Sequence, residues 1–257
     1  MIRSVSFQAP HHAVKLKAIG TQTFTFGKGL TFLFGPNGCG KTTTLKALAQ
    51  GSSAGRGGWS KCIEPSFTKL GIREMLVGQG QVVDWDGTAT LFLDSAASDM
   101  RSSSSDGLEA DESNEAFEAN LQRAFSKPSG GQWRISRLNQ VAQRILEKKL
   151  PDLTKCPEDW EKNYNSVWVK AGNDFADYVK TLEPTGLPTL LLDEPDRSLS
   201  IPNAAMLIRN LLPKLAECAQ VIVATHSPFA LAMKGSALID MEPGYVATCK
   251  AAFADVF

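Results

Sequence analysis

The first part of the chain alternates between apolar and polar positions and then becomes uniformly apolar. Interleaved Val, Ile, Thr and Phe predict short antiparallel strands that are buried on one face, and the continuous apolar run predicts a strand buried on both faces. The predicted strands cover residues 2–8, 13–19 and 23–26, and then 30–34. A helix is predicted from residue 41 to about residue 50, followed by a flexible loop at residues 51–58.

The middle of the chain mixes short apolar runs with polar segments. Residues 81–85 and 89–94 predict two strands that form a hairpin around the turn at Asp86 and Gly87. Residues 95–113 are rich in serine and acidic residues, which is typical of a mobile surface segment.

Helical spacing of apolar residues dominates the next stretch. Helices are predicted at residues 115–125, from the end of the motif 126–132 to about Leu150, and at 157–183. The inner stripe of the second helix is Leu138, Val141, Ala142, Ile145 and Leu146. The third helix carries an aromatic stripe, which core packing explains better than a ligand or partner surface.

The last third alternates between apolar runs and helical patterns. Strands are predicted at residues 187–193 and 220–225, with a helix at 203–219 that is bent or interrupted at Pro213 between them. The closing elements are a short helix at 229–233 and a pair of strands at 237–241 and 245–249. This alternation indicates an α/β fold with a largely parallel sheet covered by helices.

Composition and charge narrow the classes of protein. The 257 residues include 27 Lys and Arg and 27 Asp and Glu, so the zero net charge gives no support to a strongly cationic nucleic-acid binder. No apolar run reaches the roughly 18 residues of a transmembrane helix, and no secretion signal is evident. The 5 cysteines lack metal-site spacing, so a reducing, cytoplasmic setting is expected.

A glycine-rich turn separates the strand at residues 30–34 from the helix that follows. Its sequence, GPNGCGKT, fits G-x-x-x-x-G-K-[ST] at every fixed position. Glycines let successive backbone N–H groups turn towards a phosphate, and the helix start presents its positive end to the same anion. Lys41 can reach the β- and γ-phosphates, and the Thr42 hydroxyl can bind Mg²⁺. The predicted contacts of a nucleoside triphosphate are Gly35, Pro36, Asn37, Gly38, Cys39, Gly40, Lys41, Thr42 and Thr43.

Cys39 is the residue of this turn with reactive chemistry of its own. A thiol at a helix N-terminus can have a lowered pKa. A small side chain that fills a crowded turn is the simpler explanation, so we predict no catalytic role for Cys39.

Two acidic residues end the strand predicted at residues 187–193. Asp193 at the strand tip is placed to bind Mg²⁺, and Glu194 is placed to orient or deprotonate an attacking water. Such a pair could also cap a helix, but the phosphate loop upstream favours the functional interpretation. His226 follows another buried strand, which we expect beside the acid strand, and it is predicted to contact the γ-phosphate. The predicted catalytic residues are Lys41, Glu194 and His226, and the predicted metal ligands are Thr42 and Asp193.

Taken in order, these motifs resemble those of the ATP-binding-cassette (ABC) type ATPases. The matching elements are GPNGCGKT, PSGGQ at 128–132, LLLDEPD at 190–196, Ser198-Leu199-Ser200 in the D-loop position, and His226 as the switch histidine. The resemblance implies ATP and Mg²⁺ as cofactors and hydrolysis of ATP to ADP and phosphate. It also implies a head-to-tail homodimer that sandwiches ATP. The residues that would clamp the partner's nucleotide from a helix N-terminus are Ser129, Gly130, Gly131 and Gln132.

The implied architecture is that of a P-loop NTPase of the ABC type. It has a mostly parallel core sheet flanked by helices, N-terminal antiparallel strands and a helical signature subdomain. Residues 1–257 would form a single domain. Its parts would be the β region with the phosphate loop at 1–94, the helical insertion and signature at 95–185, and the catalytic α/β part at 186–257.

The chain departs from the family pattern at the adenine and at the Q-loop. No tyrosine precedes Tyr164, so a phenylalanine would have to stack on adenine. The candidates for that role are Phe7, Phe24 and Phe26. No clean Q-loop glutamine is present, because Asp94 or Ser95 lies nearest that position while Gln79 and Gln81 come too early.

The motifs favour a soluble ABC-type ATPase whose ATP-dependent dimer drives or gates an effector protein. The serine-rich insertion and the ATHSP motif resemble small AAA-type ATPases, DNA-repair ATPases, chromosome-maintenance heads and overcoming-lysogenisation-type proteins. That resemblance implies a role in DNA maintenance or defence. The alternative is the ATPase subunit of an ABC membrane transporter, which the long insertions and the missing glutamine disfavour. An ATP sensor that scarcely hydrolyses is disfavoured by Glu194.

Nucleic acid stays open as a partner. The helix expected at residues 132–149 carries the basic residues Arg134, Arg137, Arg144, Lys148 and Lys149. A solvated helix face is the default explanation of these charges, and a patch that contacts phosphates is the alternative.

Overall fold

Two sheets and a set of helices make up the fold. The computed structural model describes residues 1–9, 11–16, 19–20, 22–52, 80–93, 130–150, 152–156 and 166–254. In chain order the strands are β1 Ile2–Phe7, β2 Phe24–Thr25, β3 Leu30–Phe34, β4 Gln81–Trp85, β5 Thr90–Leu93, β6 Thr189–Asp193, β7 Gln220–Thr225 and β8 Ala237–Asp240. The α-helices are α1 Lys41–Gln50, α2 Gly130–Leu146, α3 Ser166–Lys180, α4 Ile201–Met206, α5 Leu212–Ala216, α6 Pro228–Leu231 and α7 Tyr245–Ala252.

The larger sheet is parallel and carries the predicted site. Its five strands have the order β5-β6-β7-β3-β8. Strands β3, β6 and β7 are buried along their whole length, because other elements cover both faces of the sheet. Strand β7 lies between β6 and β3 and pairs with both in parallel. The predicted α/β fold with a mostly parallel sheet is confirmed, and so is the neighbourhood of β6 and β7.

The smaller sheet is antiparallel and contains the N-terminal strand. Its three strands have the order β2-β1-β4. Its apolar side chains join those of α1 and one face of the parallel sheet in a shared core, which includes Val5, Phe7, Trp85, Leu45, Leu48, Leu33, Leu191 and Ile222. The prediction of N-terminal antiparallel strands is therefore confirmed for β1 and β2.

A second core covers the opposite face of the parallel sheet. Alternate strand residues point to it, as period-two geometry requires, and α2 and the stretch from α4 to α5 pack against them. Its members include Phe32, Phe34, Leu190, Leu192, Val221, Val223, Leu138, Val141, Ile145, Ile208 and Leu212. Leu146 was predicted on the inner stripe of α2, but it is 64% exposed because the helix ends there and turns away.

Gln220 ties the two sheets together at the start of β7. Its side-chain oxygen accepts hydrogen bonds from the Ile2 N–H at 2.8 Å and the Thr189 hydroxyl at 2.8 Å. Its amide nitrogen donates to the carbonyls of Ile2 at 2.7 Å and Gly27 at 2.9 Å. The side chain is fully buried and all its polar atoms are paired, so it fixes the position of β1 relative to the parallel sheet.

The strand predicted at residues 13–19 is wrong. The described residues there form a 3₁₀ turn at His12–Lys15, and the His11 Nδ1 accepts the Ala13 N–H at 3.1 Å. Local side-chain bonding of this kind competes with strand pairing. The turn brings the side chains of Leu16 and Ile19 against Gly40 of the phosphate loop.

The hairpin predicted around Asp86 and Gly87 is also wrong, although both of its strands exist. Strand β4 pairs with β1 in the small sheet, whereas β5 pairs with β6 in the parallel sheet. The Asp86 carboxylate accepts hydrogen bonds from the Thr88 N–H at 2.9 Å and from the Thr185 hydroxyl at 2.7 Å. The chain therefore passes from one sheet to the other at a turn that a distant segment holds.

The C-terminal strand predicted at residues 245–249 is wrong, because this stretch begins helix α7. Gly244 precedes it at a φ of 90°, and the Asp240 carboxylate accepts the N–H groups of Gly244 and Val246 at 2.9 and 3.3 Å. These bonds satisfy N–H groups at the helix start, as an N-terminal cap does.

The helix predicted at residues 203–219 is present and passes Pro213 without a break. Helices α4 and α5 are joined by a π turn at Leu207–Leu211, and the connecting residues keep right-handed helical dihedrals. A π turn changes the hydrogen-bond pattern where proline lacks its N–H, so the helix continues. Some predictions fall outside the described residues: those for residues 53–58, 95–113, 115–125 and 157–165, and those for Gln79, Asp94, Ser95 and Ser129.

Candidate functional site

The phosphate loop connects β3 to α1 and depends on two glycines with left-handed dihedrals. Gly38 has a φ of 80° and Gly40, the residue before the helix, has a φ of 102°. A Cβ atom on Gly40 would lie 2.4 Å from the Cδ1 of Ile19. Glycine is therefore favoured at Gly40 by its dihedral angles, and any added Cβ atom would also displace the end of the Ile19 side chain.

Lys41 is buried inside this loop, with 5% of its surface exposed. Its ammonium group donates to the carbonyl oxygens of Gly35 at 2.8 Å and Pro36 at 2.9 Å. A buried ammonium is costly unless it is hydrogen bonded, so these bonds hold the charge within the loop. The loop thus presents a fixed positive charge where the sequence predicts the β- and γ-phosphates.

Thr42 and Asp193 meet across the gap between α1 and β6. The Thr42 hydroxyl donates to the Asp193 Oδ1 at 2.9 Å, and Asp193 is 4% exposed. Hydroxyl and carboxylate oxygens are hard ligands that Mg²⁺ prefers. The two residues predicted as metal ligands are brought together, and their donor atoms fit the metal.

Glu194 follows directly where β6 ends. Its backbone takes the left-handed conformation, with a φ of 43°, and its N–H donates to the carbonyl of Ala224 in β7 at 2.9 Å. Ser198, in the predicted D-loop, is also left-handed, with a φ of 65°. Non-glycine residues in this conformation are uncommon and concentrate at functional sites.

His226 lies beside Glu194, because the strands that precede them, β7 and β6, are neighbours as predicted. Its Nδ1 is 3.3 Å from the Glu194 Oε1. The side chain of Glu194 is 19% exposed and that of His226 is 52% exposed. The pair lies at the carboxyl ends of adjacent parallel strands, where ligands of open α/β sheets commonly bind.

Three neighbours of this pair were not singled out by the sequence analysis. The guanidinium of Arg197 lies 4.0 Å from the Glu194 Oε2. The Thr225 hydroxyl donates to the Asp196 Oδ1 at 3.1 Å. Asp196 is part of LLLDEPD and Thr225 directly precedes the histidine, so proximity to the motifs was the available signal.

The structure also bears on the predicted roles of Cys39 and the phenylalanines. Burial raises the pKa of the Cys39 thiol, although the nearby charge of Lys41 opposes this effect. A thiol with a raised pKa is a poor nucleophile near neutral pH, and the absence of a catalytic role for Cys39 stays a prediction. Phe7, Phe24 and Phe26 are each at most 5% exposed, because they fill the core between the sheets. None of the three rings has a free face for adenine.

The described part of the predicted signature lies at a helix N-terminus. Gly130 is the first residue of α2, and Gly131 and Gln132 follow within its first turn. The backbone N–H groups of a first helical turn lack partners inside the helix and are suited to an anion.

The chain was compared with known protein families and structures. Residues 15–74 match an AAA domain, and residues 175–232 match an AAA domain whose description names the AbiEii toxin and a Type IV TA system. No curated protein matches. A solved structure similar to the chain is an ABC transporter of the metal-chelate type in an inward-facing conformation. It shares 20% identity at a TM-score of 0.39 and covers 93% of this chain and 80% of the other. A TM-score at that level carries no argument about function.

The two AAA matches contain the halves of the described site. The first spans the phosphate loop, and the second spans the acid strand and His226. Together with the parallel sheet and the phosphate loop, they support the fold of a P-loop NTPase. Within the described ranges, no helix is both long enough and apolar enough to cross a membrane.

Proposed function

We propose that the chain is a Mg²⁺-dependent ATPase that converts ATP and water into ADP and phosphate. The observation that carries the proposal is the meeting of two residue pairs at the carboxyl ends of neighbouring strands. Thr42 with Asp193 supplies oxygen ligands, and Glu194 with His226 supplies a carboxylate beside an imidazole. The AAA-domain matches support ATP as the nucleotide.

The phosphate loop binds the triphosphate in this mechanism. Backbone N–H groups around Gly38 and Gly40 and the start of α1 hold the phosphate oxygens. The Lys41 ammonium exchanges a carbonyl partner for β- and γ-phosphate oxygens. Thr42 and Asp193 would hold Mg²⁺, which would supply positive charge beside the phosphates.

Glu194 acts as the general base of the proposed reaction. Its carboxylate accepts a proton from a water molecule whose oxygen forms a bond to the γ-phosphorus, while the bond from that phosphorus to the bridging oxygen of ADP breaks. His226 orients the attacked phosphate from the neighbouring strand end. Its proximity to Glu194 supports this division of roles.

We further propose that two copies associate head to tail with ATP between them. In this arrangement Ser129, Gly130, Gly131 and Gln132 of one copy face the phosphate loop of the other. The exposed apolar side chains of Ile201 and Met206, which follow the D-loop position and are 75% and 56% exposed, support contact with a second copy there.

The dimer would drive or gate an effector in DNA maintenance or defence, and the description of the second AAA match favours defence.

The oligomeric state of a slow variant tests the dimer. Glu194→Gln keeps the size of the side chain and removes the base, so Mg·ATP should convert the protein from monomer to dimer in size-exclusion chromatography with light scattering. Lys41→Ala, which loses the phosphate contact, should stay monomeric under the same conditions. A Glu194→Gln protein that remains monomeric at saturating ATP would contradict the sandwich. Capture of effectors by this variant, with a nuclease-treated control, would identify the partner and separate protein from nucleic acid.

A further inference from the structure

The turn that carries Glu194 and the loop that carries His226 are joined by more than the contact between these two side chains. We name residues 194–198 the acid turn and residues 224–227 the histidine loop. We propose that Thr225 and Asp196 are positioning residues, whose hydrogen bond sets the distance between the general base and the histidine. The inference rests on the proposed function and adds residues that it does not use.

The Thr225 hydroxyl makes two hydrogen bonds at once. It donates to the Asp196 Oδ1 at 3.1 Å and accepts the Ser227 N–H at 2.9 Å. The threonine is fully buried and Ser227 is 4% exposed, so the bond between them is shielded from water, whereas the bond to Asp196 is partly buried. The hydroxyl therefore fixes the backbone on both sides of His226 and links it to the acid turn.

The position of Glu194 depends on contacts of the acid turn with the end of β7 and the loop that follows. It lies in a left-handed turn, so strand geometry does not set the direction of its carboxylate. The bond from its N–H to the Ala224 carbonyl fixes the start of the acid turn, and the Asp196 carboxylate fixes the turn two residues later. The backbone carbonyl of Asp196 also accepts the Leu199 N–H at 3.1 Å, and Leu199 lies in the D-loop. The backbone at Glu194 is thus held by two hydrogen bonds to the histidine loop, one at Glu194 and one two residues later.

His226 depends on the same hydrogen bonds for its position, because its own side chain is not packed. It is 52% exposed, so the loop backbone rather than surrounding atoms determines where the imidazole lies. Small displacements of reacting groups reduce rates strongly while leaving binding intact. Loss of the Thr225–Asp196 bond should therefore affect the chemical step more than the affinity for ATP, which depends on the separate phosphate loop.

Matched substitutions on both sides of the bond test the inference. Thr225→Val keeps the shape without the hydroxyl, and Asp196→Ala removes the acceptor while leaving the Ser227 bond in place. Each should lower kcat by about tenfold or more with KM for ATP changed by less than about threefold. Thr225→Ser restores the hydroxyl and Asp196→Asn restores an acceptor oxygen without charge, and both should recover most of kcat. If Asp196→Ala folds and keeps the parental kcat, or if the restoring variants are as slow as the disrupting ones, the inference is overturned.

A measurement that does not need turnover separates this inference from the proposed function. The chain has 3 histidines, so the imidazole nitrogen signals of His226 can be assigned in a labelled protein by comparison with a His226→Gln variant. Thr225→Val and Asp196→Ala should move these signals, while those of His11 and His12 stay in place. Unchanged His226 signals would refute the positioning role even in an active enzyme. Shifted signals in a protein that does not hydrolyse ATP would support the positioning role and contradict the ATPase.

Discussion

The two halves of the candidate site are held in different ways. In the phosphate half, Lys41 and Asp193 are 5% and 4% exposed and their polar atoms bond to neighbouring groups of the same buried region. In the hydrolytic half, the side chains of Glu194 and His226 are 19% and 52% exposed and belong to two turns that follow different strands. The phosphate half is preformed within one strand–loop–helix unit and the adjoining strand tip. The hydrolytic half exists only because β6 and β7 are neighbours.

This difference indicates a division of labour between binding and cleavage. Lys41 is already held in the loop as a buried positive charge beside the predicted phosphate position, and Asp193 as a buried carboxylate beside Thr42. Fixed charges of this kind provide the preorganisation that electrostatic stabilisation needs. The partly buried Glu194 and the exposed His226 leave room for water and for a second copy of the chain. Substitutions in the two halves should therefore produce different kinetic signatures.

The largest effect is expected from Glu194→Gln in the hydrolytic half. Loss of the general base should slow steady-state phosphate release by about 100- to 10,000-fold. ATP affinity, measured by calorimetry, should change by less than about threefold, because the phosphate half is intact. Glu217→Gln, at an exposed carboxylate just after α5, is the matched control and should leave both quantities unaltered.

Lys41→Ala should give the opposite signature. Charge-assisted hydrogen bonds contribute about 1.5–3 kcal/mol each, so losing the ammonium should weaken ATP binding by at least about 100-fold. Calorimetry measures the affinity directly, and Lys28→Ala, at an exposed lysine before β3, serves as the control. Equal affinities for the two variants would remove Lys41 from the binding site.

Gly40→Ala tests the backbone of the phosphate half. Its φ of 102° and the 2.4 Å approach of Ile19 leave no strain-free place for a Cβ atom. The free energy of unfolding, measured in urea, should fall by about 1–3 kcal/mol. Gly27→Ala, where the added atom meets nothing within 4 Å, should change it by less than about 0.5 kcal/mol.

Cys39→Ala should have the smallest effect. The side chain is buried against the loop, and burial raises the pKa of its thiol, so we expect it to contribute packing rather than nucleophilic chemistry. Phosphate release should stay within about threefold of the parental rate, and only melting temperature should fall slightly. A loss of turnover as large as that of Glu194→Gln would show that the thiol takes part in the reaction.

The same contrast explains what could be predicted from sequence. The phosphate half follows from contiguous residues, so the motif, its strand Leu30–Phe34 and its helix Lys41–Gln50 were predicted with their observed bounds. The apolar runs of β6 and β7 were equally clear, and their alternation with helices indicated neighbouring parallel strands. For these elements the secondary structure predicted from the local pattern agrees with the observed one, because burial alone determines it.

The failures occur where a distant or local polar contact decides the structure. Asp86 bonds to Thr185, so β4 and β5 join different sheets despite a turn sequence that favours a hairpin. Asp240 caps the stretch after Gly244, so apolar alternation there becomes a helix. The bond between Thr225 and Asp196 has the same character. Both residues lie in or beside the sequence motifs, but their contact with each other follows only from the pairing of β6 with β7.

The most direct test of the proposed ATP hydrolysis is the fate of the water oxygen during turnover. The purified chain is incubated with Mg·ATP in water labelled with heavy oxygen, and the products are weighed by mass spectrometry. The proposed mechanism predicts label in the released phosphate and none in ADP. It also predicts that phosphate release needs Mg²⁺ and is suppressed in Glu194→Gln. Phosphate release by the parental chain that does not exceed that of Glu194→Gln, or label in ADP, would contradict it.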